Sequence, residues 1–410
     1  MSGHRPTVAV VDLRQIAKNF KILKSAAAEG VFVCPMVKAN AYGHGDVAIA
    51  KKLRTVGAAN LGVGLIEEGL KLRESGDDGT ILHFGMFDLV GAEVMAERDI
   101  TPVISSREGL ELWIQAVQAH SGWRKGTAAF HLKVNSGMNR LGFAPEEVTA
   151  TALRIREVQN LIHLEGVATH FSNGEDFGVV DGRSEAQMVC FRKAVADIRA
   201  TGLTDFKLHV ANSSATCAIG ELRKMRPDDS SLDDLGIRPG ISLYGVDPET
   251  WAAKIGVQPA LQLQSRIVLV QDVRQGSRVS YGGRWQAPRD SRIGVIPCGY
   301  ADGYRRGLNS EGKAVVIVAG RRIPVVGTVC MDYFMCDLTD VQGAGIGDLV
   351  TLIGTTAPTG KPSDAAVSIT AAEIARLVQT IPYEIFTGIS ERVPRVYVDD
   401  TPSVGVLSKE

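Results

Sequence analysis

The sequence predicts an N-terminal (β/α)8 TIM barrel followed by a mainly antiparallel β C-terminal domain. Three observations carry this. Eight strand-like apolar runs alternate with helical patterns over roughly the first 245 residues, the reach expected of a closed parallel barrel and its covering helices. Polar residues of catalytic type gather at the C-terminal ends of those runs, the face on which such barrels keep their chemistry. After Tyr244-Gly245-Val246-Asp247-Pro248 the pattern changes to short runs rich in valine and isoleucine, broken by glycine pairs and proline, as in an antiparallel sheet.

The eight runs occupy 31–37, 60–65, 81–84, 102–104, 128–134, 163–169, 206–211 and 237–243. Between them, Leu13, Ile16, Phe20 and Leu23 recur at three and four residues, as do Leu110, Ile114 and Val117, which places each set on one face of a helix. An open doubly wound sheet is the alternative topology, although nothing resembles its glycine-rich first turn. In the second part, 265–270, 293–296, 315–318 and 349–353 read as strands and 371–380 as one late helix. The boundary falls near residue 256, giving a barrel over 1–255 and a β-rich domain over 256–410. The first ten residues, with 8–11 strand-like, are candidates for packing with the second domain instead.

Composition narrows the partners. The chain has 410 residues, 45% of them apolar, enough for a sizeable core, and its 45 basic and 46 acidic side chains give no electrostatic reason to expect nucleic acid or a membrane surface. No apolar stretch approaches the roughly 20 residues that span a bilayer. Six cysteines, at 34, 190, 217, 298, 330 and 336, form no CxxC pair, and no signal-type apolar core follows the opening residues. The expectation is a cytoplasmic, disulfide-free protein without a metal site that acts on a small molecule.

Lys38 is the sharpest candidate within the barrel. It ends the apolar run 31–37, and a lysine held at the polar mouth of a buried strand loses stability as an ammonium, so its amine becomes nucleophilic toward an aldehyde such as pyridoxal phosphate. Taken alone, a strand-end lysine is far more often a solvated surface charge. Its company decides: Lys133, Asn135 and Arg140 lie in and after the fifth run, His170 after the sixth, His209, Asn212 and Ser213 at the end of the seventh, and Arg238, Gly240 and Ile241 in the eighth. A single strand-end histidine is usually structural. Several strands delivering such residues to one mouth is a pattern that chance rarely makes.

Several motifs then stand in order along nearly the whole chain. Val37-Lys38-Ala39-Asn40-Ala41-Tyr42-Gly43-His44-Gly45, Gly137-Met138-Asn139-Arg140-Leu141-Gly142 and Arg238-Pro239-Gly240-Ile241 lie in the barrel part. Ser280-Tyr281-Gly282, Gly299-Tyr300-Ala301-Asp302-Gly303 and Cys330-Met331-Asp332 lie in the second part. Together they resemble the alanine racemase family, fold-type III pyridoxal 5'-phosphate enzymes.

The resemblance implies interconversion of L- and D-alanine, supplying D-alanine for peptidoglycan or taking part in alanine catabolism. Lys38 is implied to hold the cofactor aldehyde and, once displaced by the amino acid, to act as base on one face of the α-carbon. Inversion through a planar carbanion needs a proton donor on each face, and the resemblance assigns the second to Tyr281. A phenol has a reference pKa of about 10, so this role needs electrostatic help, for which His170 and Arg238 are candidates. Arg238, facing the pyridine nitrogen, donates a hydrogen bond without giving up its proton. Tyr42, Asn212, Ser213, Gly240, Ile241 and Tyr383 match the family's cofactor contacts. Arg140 is implied to hold the substrate carboxylate or the cofactor phenolate, with Met331 and Asp332 on the substrate side. An inward cation at Lys133 would be costly, and many relatives carbamylate a lysine there, turning it into an anion that pairs with Arg140; the plain alternative is an outward-facing surface lysine. Tyr300, Arg306 and Arg395 match residues of an entryway. In the family the second domain reaches the partner's barrel, so a homodimer with shared sites is implied.

Other readings lose ground on particular residues. A non-catalytic cofactor-binding barrel would lack the domain that carries Tyr281 and Asp332. A decarboxylase on the same barrel uses an acid where Arg238 stands. A class I aldolase would use the lysine directly on a carbonyl substrate. A racemase for serine or another amino acid is the nearest rival, because a pocket discriminates a methylene or hydroxyl by only about 1–3 kcal/mol.

Overall fold

The structure, a computed structural model, describes residues 5–120, 128–226, 228–246, 254–356 and 366–399. Asp247 and Pro248, part of the run where the composition changes, lie outside the described residues. The described residues of Met1–Gln15, Tyr42–Gly45 and Pro259–Glu410 group into one compact unit, and those of Ile16–Ala41 and Asp46–Gln258 into another.

Strand β1 (Val8–Asp12) belongs to the first of these units. The second is built on β2 (Asn60–Val63), β3 (Thr80–His83), β4 (Ile100–Ile104), β5 (Ala128–Lys133), β6 (Ile162–Ala168), β7 (Lys207–Ala211) and β8 (Gly236–Ile237), which pair in chain order and always in parallel. Each connection passes through a helix, such as Asn212-capped Ser213–Met225 between β7 and β8. β4 is buried at all five positions, as a strand covered on both faces must be.

Two expected barrel strands come out differently, both because of proline, and in the second part the single strand expected at 265–270 is instead the end of one strand, Leu261–Arg266, and the start of the next, Leu269–Val273. Residues 31–37 form no regular strand but make single parallel bridges from Val33 to Ile237 and from Met36 to Gly62. Cys34 N donates to Ile237 O (2.9 Å) and Val37 N to Gly62 O (2.8 Å), so the segment still joins β8 to β2 and closes the barrel. Pro35 has no N–H for a ladder; its carbonyl accepts from Gly62 N at 3.0 Å instead. The expected run 237–243 stops after Ile237, because Pro239 interrupts it, and Ile241–Tyr244 is a 3-10 turn. Arg238, Gly240 and Ile241 therefore lie on the turn after β8 rather than within a long strand.

The other unit holds β9 (Leu261–Arg266), β10 (Leu269–Val273), β11 (Arg278–Val279), β12 (Trp285–Gln286), β13 (Ser291–Ile296), β14 (Val315–Val318), β15 (Arg321–Val326), β16 (Phe334–Asp337), β17 (Leu349–Thr356), β18 (Val367–Ile369) and β19 (Arg395–Val398). Its main sheet runs β10-β13-β16-β15-β14-β17-β9-β1-β19, with β18 on β17. All pairings are antiparallel except β1 with β19. β9 alternates buried and half-buried residues, the pattern of a sheet with one packed face. The single helix expected at 371–380 is two, Ala371–Leu377 and Pro382–Thr387, separated where Gln379 takes a positive φ of 54°. Asp302 is fully buried in this unit and is held bidentately by Arg5 at 2.8 and 2.9 Å, with Gly299 N at 2.9 Å, which ties the N-terminal segment to the Gly299–Gly303 turn.

Candidate active site

Lys38 opens a turn of unusual hand. Ala39, Asn40, Ala41 and Tyr42 have φ of 52°, 53°, 51° and 52°, so the chain leaves the barrel wall as one left-handed helical turn, closed by Ala41 N on Val37 O at 2.8 Å. L-residues resist this conformation by about 1–2 kcal/mol each. Local bonds offset part of that: Asn40 Oδ1 accepts Asp46 N at 3.0 Å, and Tyr42 O is 2.9 Å from His44 Nδ1. Gly43 follows at φ 81°, where a Cβ would lie 2.1 Å from Phe386 O. The turn aims Lys38 at the mouth.

Arg238 is buried at the mouth's base, with 5% of its surface exposed. Nη1 donates to His209 O (2.5 Å) and His209 Nδ1 (3.0 Å); Nη2 donates to Thr169 O (2.6 Å) and His170 Nδ1 (3.2 Å). Burial lowers its guanidinium to about 10, which still leaves it charged near neutrality. Because arginine can only donate, both histidine Nδ1 atoms must be acceptors. His209 therefore carries its proton on Nε2 and donates it to His131 Nδ1 at 2.7 Å, and His131 Nε2 donates to Glu165 Oε2 at 3.3 Å. Burial, with Arg238 beside them, holds His170 and His209 far below the usual histidine range, so both stay neutral. Sequence reasoning missed His131 and Glu165. Their signal was a histidine and a carboxylate inside otherwise apolar strands.

Lys133 is 8% exposed, which rules out the outward-facing reading. Burial, then Arg238, Arg140 and Lys38, lower its amine to about 8, and among the described residues no carboxylate pairs with it. Arg140 sits on the loop after β5, which is closed by Asn135 N on Phe143 O (2.9 Å) and Phe143 N on Lys133 O (2.8 Å). Asn135, placed at the strand end by the sequence, organises that loop: its Oδ1 accepts Asn139 N at 2.9 Å and Gly137 N at 3.3 Å. Lys38 itself is exposed, yet the recess around it still disfavours the ammonium. Partial burial and then Arg140 lower its amine, Glu68 opposes them, and Arg238 adds to the lowering.

Ser213 Oγ accepts both Gly240 N (2.9 Å) and Ser242 N (3.2 Å), so its own proton is left to donate outward. It begins the helix Ser213–Met225, capped by Asn212 Oδ1 on Ala215 N, and the buried Ser242 Oγ has no hydrogen-bond partner among the described residues. A helix N-terminus, two hydroxyls and an excess of cations fit an anionic group such as a phosphate. The unit thus brings together Lys38, Lys133, Arg140, His170, Asn212, Ser213, Arg238, Gly240 and Ile241.

The β-rich unit presents its own set. Tyr42 and Tyr383 rings lie 6.0 Å apart. Tyr281 is 72% exposed on a rigid turn. Ser280 before it has φ 66°, and the turn is stapled by Ser280 Oγ on Thr328 O (2.7 Å) and Thr328 Oγ1 on Tyr281 O (2.8 Å). The Cys330–Asp332 loop adjoins: Tyr300 N donates to Cys330 O at 3.0 Å, and Met331, Tyr300 and Tyr333 are exposed. Arg392 Nη2 holds Asp332 at 2.6 Å. Arg306 is exposed at the start of a 3-10 turn. Arg395 has a structural task, donating to the carbonyls of Gly43, Ile389, Ser390 and Val393.

A barrel with a lysine of weakened basicity at its mouth, joined in sequence to a β domain that offers an exposed tyrosine, defines a class of two-domain barrel enzymes. Comparison with known proteins names the family. The profile of the alanine racemase N-terminal domain matches residues 11–248 and that of the C-terminal domain residues 260–397. An alanine racemase of Geobacter sulfurreducens is 38% identical over 408 residues, 98% of each chain, and one of Carboxydothermus hydrogenoformans is 37% identical over 398 residues, 96% of this chain and 100% of the relative. The crystal structure of alanine racemase from D-cycloserine-producing Streptomyces lavendulae superposes with a TM-score of 0.83 at 31% identity, covering 97% of this chain and 98% of that one. That of Bacillus anthracis, with bound L-Ala-P, gives 0.83 at 30% identity, covering 99% and 98%. The chain belongs to the alanine racemase family and is an isomerase.

The left-handed turn gives a direct test. Gly43→Ala is expected to cost at least ~3 kcal/mol, since a Cβ there meets a backbone carbonyl at positive φ. Gly57→Ala, at φ 84° with nothing within 4 Å, should cost only about 1 kcal/mol. Denaturation midpoints compare the two; equal losses would contradict the close-approach argument.

Proposed function

We propose that this chain interconverts L-alanine and D-alanine with pyridoxal 5'-phosphate, as a cytoplasmic homodimer whose two sites each draw on both subunits. The observation that carries the reading is the Lys38 amine, held at the barrel mouth beside Arg140 and Arg238 and lowered from the usual lysine range. When bound, the cofactor supplies an electron sink that acidifies the α-proton of the amino acid.

Lys38 Nζ, its ammonium form disfavoured by burial and by Arg140, takes or returns the α-proton on one face. The phenol of Tyr281 of the partner subunit does so on the other, and the turn that holds Tyr281 rigid supports that use. Arg238 offers Nε, the guanidinium nitrogen with no bond among the described residues, and the chain through His209, His131 and Glu165 holds it still. An arginine there donates without releasing a proton, which favours proton return over side reactions. Ser213, with the amide of Ile241, Asn212, Tyr42 and Tyr383, binds the phosphate, and Gly240 N holds Ser213 Oγ in place for it. Arg140 takes the substrate carboxylate, and Met331 and Asp332 of the partner subunit line the substrate side. Tyr300, Arg306 and Arg395 flank the entryway. An amine near 8 among cations is suited to adding carbon dioxide, so Lys133 carries a carbamate that pairs with Arg140. The product D-alanine serves peptidoglycan synthesis, or the same reaction feeds alanine catabolism.

A racemisation assay on a panel of L- and D-amino acids, with and without pyridoxal phosphate, tests this. Alanine is expected to be turned over fastest and only with the cofactor, and Tyr281→Phe to lower the rate by about 10²–10⁴-fold. Cofactor-loaded protein without alanine activity would overturn the proposal. Intact mass of the same preparation should show the carbamate; a free amine at Lys133 would remove that part of it.

A further inference from the structure

Glu68 has no part in the chemistry above, yet its carboxylate bridges two segments of the barrel mouth. It is the third residue of the helix Ile66–Glu74 that follows β2, and its Oε2 accepts Gly64 N at 2.8 Å and Leu65 N at 3.1 Å. That much is ordinary helix capping. The other oxygen does something a cap does not require. Oε1 reaches across to accept Ala39 N at 2.6 Å, the amide directly after Lys38.

The same carboxylate also stands beside the lysine stem. A Cβ placed on Gly64 would lie 3.5 Å from Lys38 Cδ, 3.6 Å from Lys38 Cβ and 3.6 Å from Glu68 Oε2, so the two side chains share one small space. The charged or titratable groups that bear on Lys38 are Arg140, Glu68 and Arg238, with Lys133 and His170 feeling it in turn. Of these, Glu68 alone is acidic.

We propose that Glu68 is the positioning residue for Lys38: one oxygen pins the left-handed turn at its first amide, the other fixes the loop under the lysine stem, and the carboxylate supplies the negative charge facing the amine. The proposal rests on the reading of Lys38 as the lysine that holds the cofactor aldehyde. Arg140 and Arg238 both push the ammonium to release its proton, and Glu68 limits how far they succeed. Without it the turn loses an anchor at the place where its conformation is least favourable. The amine then points less consistently and loses its proton at lower pH.

The test uses pyridoxal phosphate as probe and reads mass rather than turnover. The neutral Lys38 Nζ adds to the aldehyde carbon with loss of water, borohydride delivers hydride to that carbon, and the resulting secondary amine is quantified on the Lys38 peptide across pH. Relative to the unaltered chain, Glu68→Gln should move the midpoint of initial trapping rate downward by roughly one pH unit. It should also lower the plateau about fivefold, through the lost anchor. Glu67→Gln, a neighbouring exposed carboxylate, should leave both unchanged. An unshifted midpoint and plateau in Glu68→Gln would overturn the proposal. So would a Glu68→Gln chain that fails to fold by thermal melting, since Glu68 would then be a helix cap on which the barrel depends. Failure to trap the unaltered chain at Lys38 would instead remove the reading of Lys38 on which the proposal rests.

Discussion

A guanidinium that cannot lose its proton, sunk into the base of the barrel mouth, sets the terms for the groups around it. Arg238 lies between β7, the Thr169–His170 corner and the turn after β8, and three carbonyls and two imidazoles receive its N–H groups. Each consequence follows from donation in one direction. His170 and His209 must present bare Nδ1 atoms, His209 must pass its proton to His131, and His131 must end on Glu165. Burial first, then Arg140 and Arg238, lower the Lys38 amine, and burial with Arg238 and Arg140 lowers that of Lys133 to about 8. An apolar replacement at 238 would relieve desolvation but release both histidine tautomers.

The second constraint is conformational. The two side chains proposed to handle the proton stand beside backbone that ordinary residues avoid: four left-handed residues after Lys38, and a positive φ at Ser280 just before Tyr281. Such conformations persist when surrounding bonds over-determine them. For Lys38 these come from Asn40, Glu68 and the tight approach at Gly43; for Tyr281 they come from the exchange between Ser280 and Thr328. Rigidity of this kind suits proton transfer, where a displacement of an ångström at the α-carbon is costly.

The sequence was most legible where periodicity and chemistry agreed. Strand-end Lys38, Lys133, His170 and Ser213 could be read because a parallel barrel exposes the ends of its strands, and the structure gathers them in one unit. Residues 31–37 and 237–243 looked like full strands because hydrophobicity is blind to the missing N–H of Pro35 and Pro239. His131 and Glu165 stayed hidden because a buried polar chain leaves only isolated polar letters in apolar strands. Glu68 went unread, since nothing in its local pattern shows that one oxygen reaches a turn 29 residues earlier. Asn135 likewise gains meaning only once the loop carrying Arg140 has closed.

In the function proposed, Lys38 and Tyr281 act on opposite faces of one substrate carbon although they come from different subunits. Mixing the inactive chains Lys38→Ala and Tyr281→Ala under conditions of verified subunit exchange, then assaying alanine racemisation, tests it most directly. Random pairing leaves one intact site in each mixed dimer, so recovery to about a quarter of the unaltered activity is expected. No recovery despite exchange would contradict the claim.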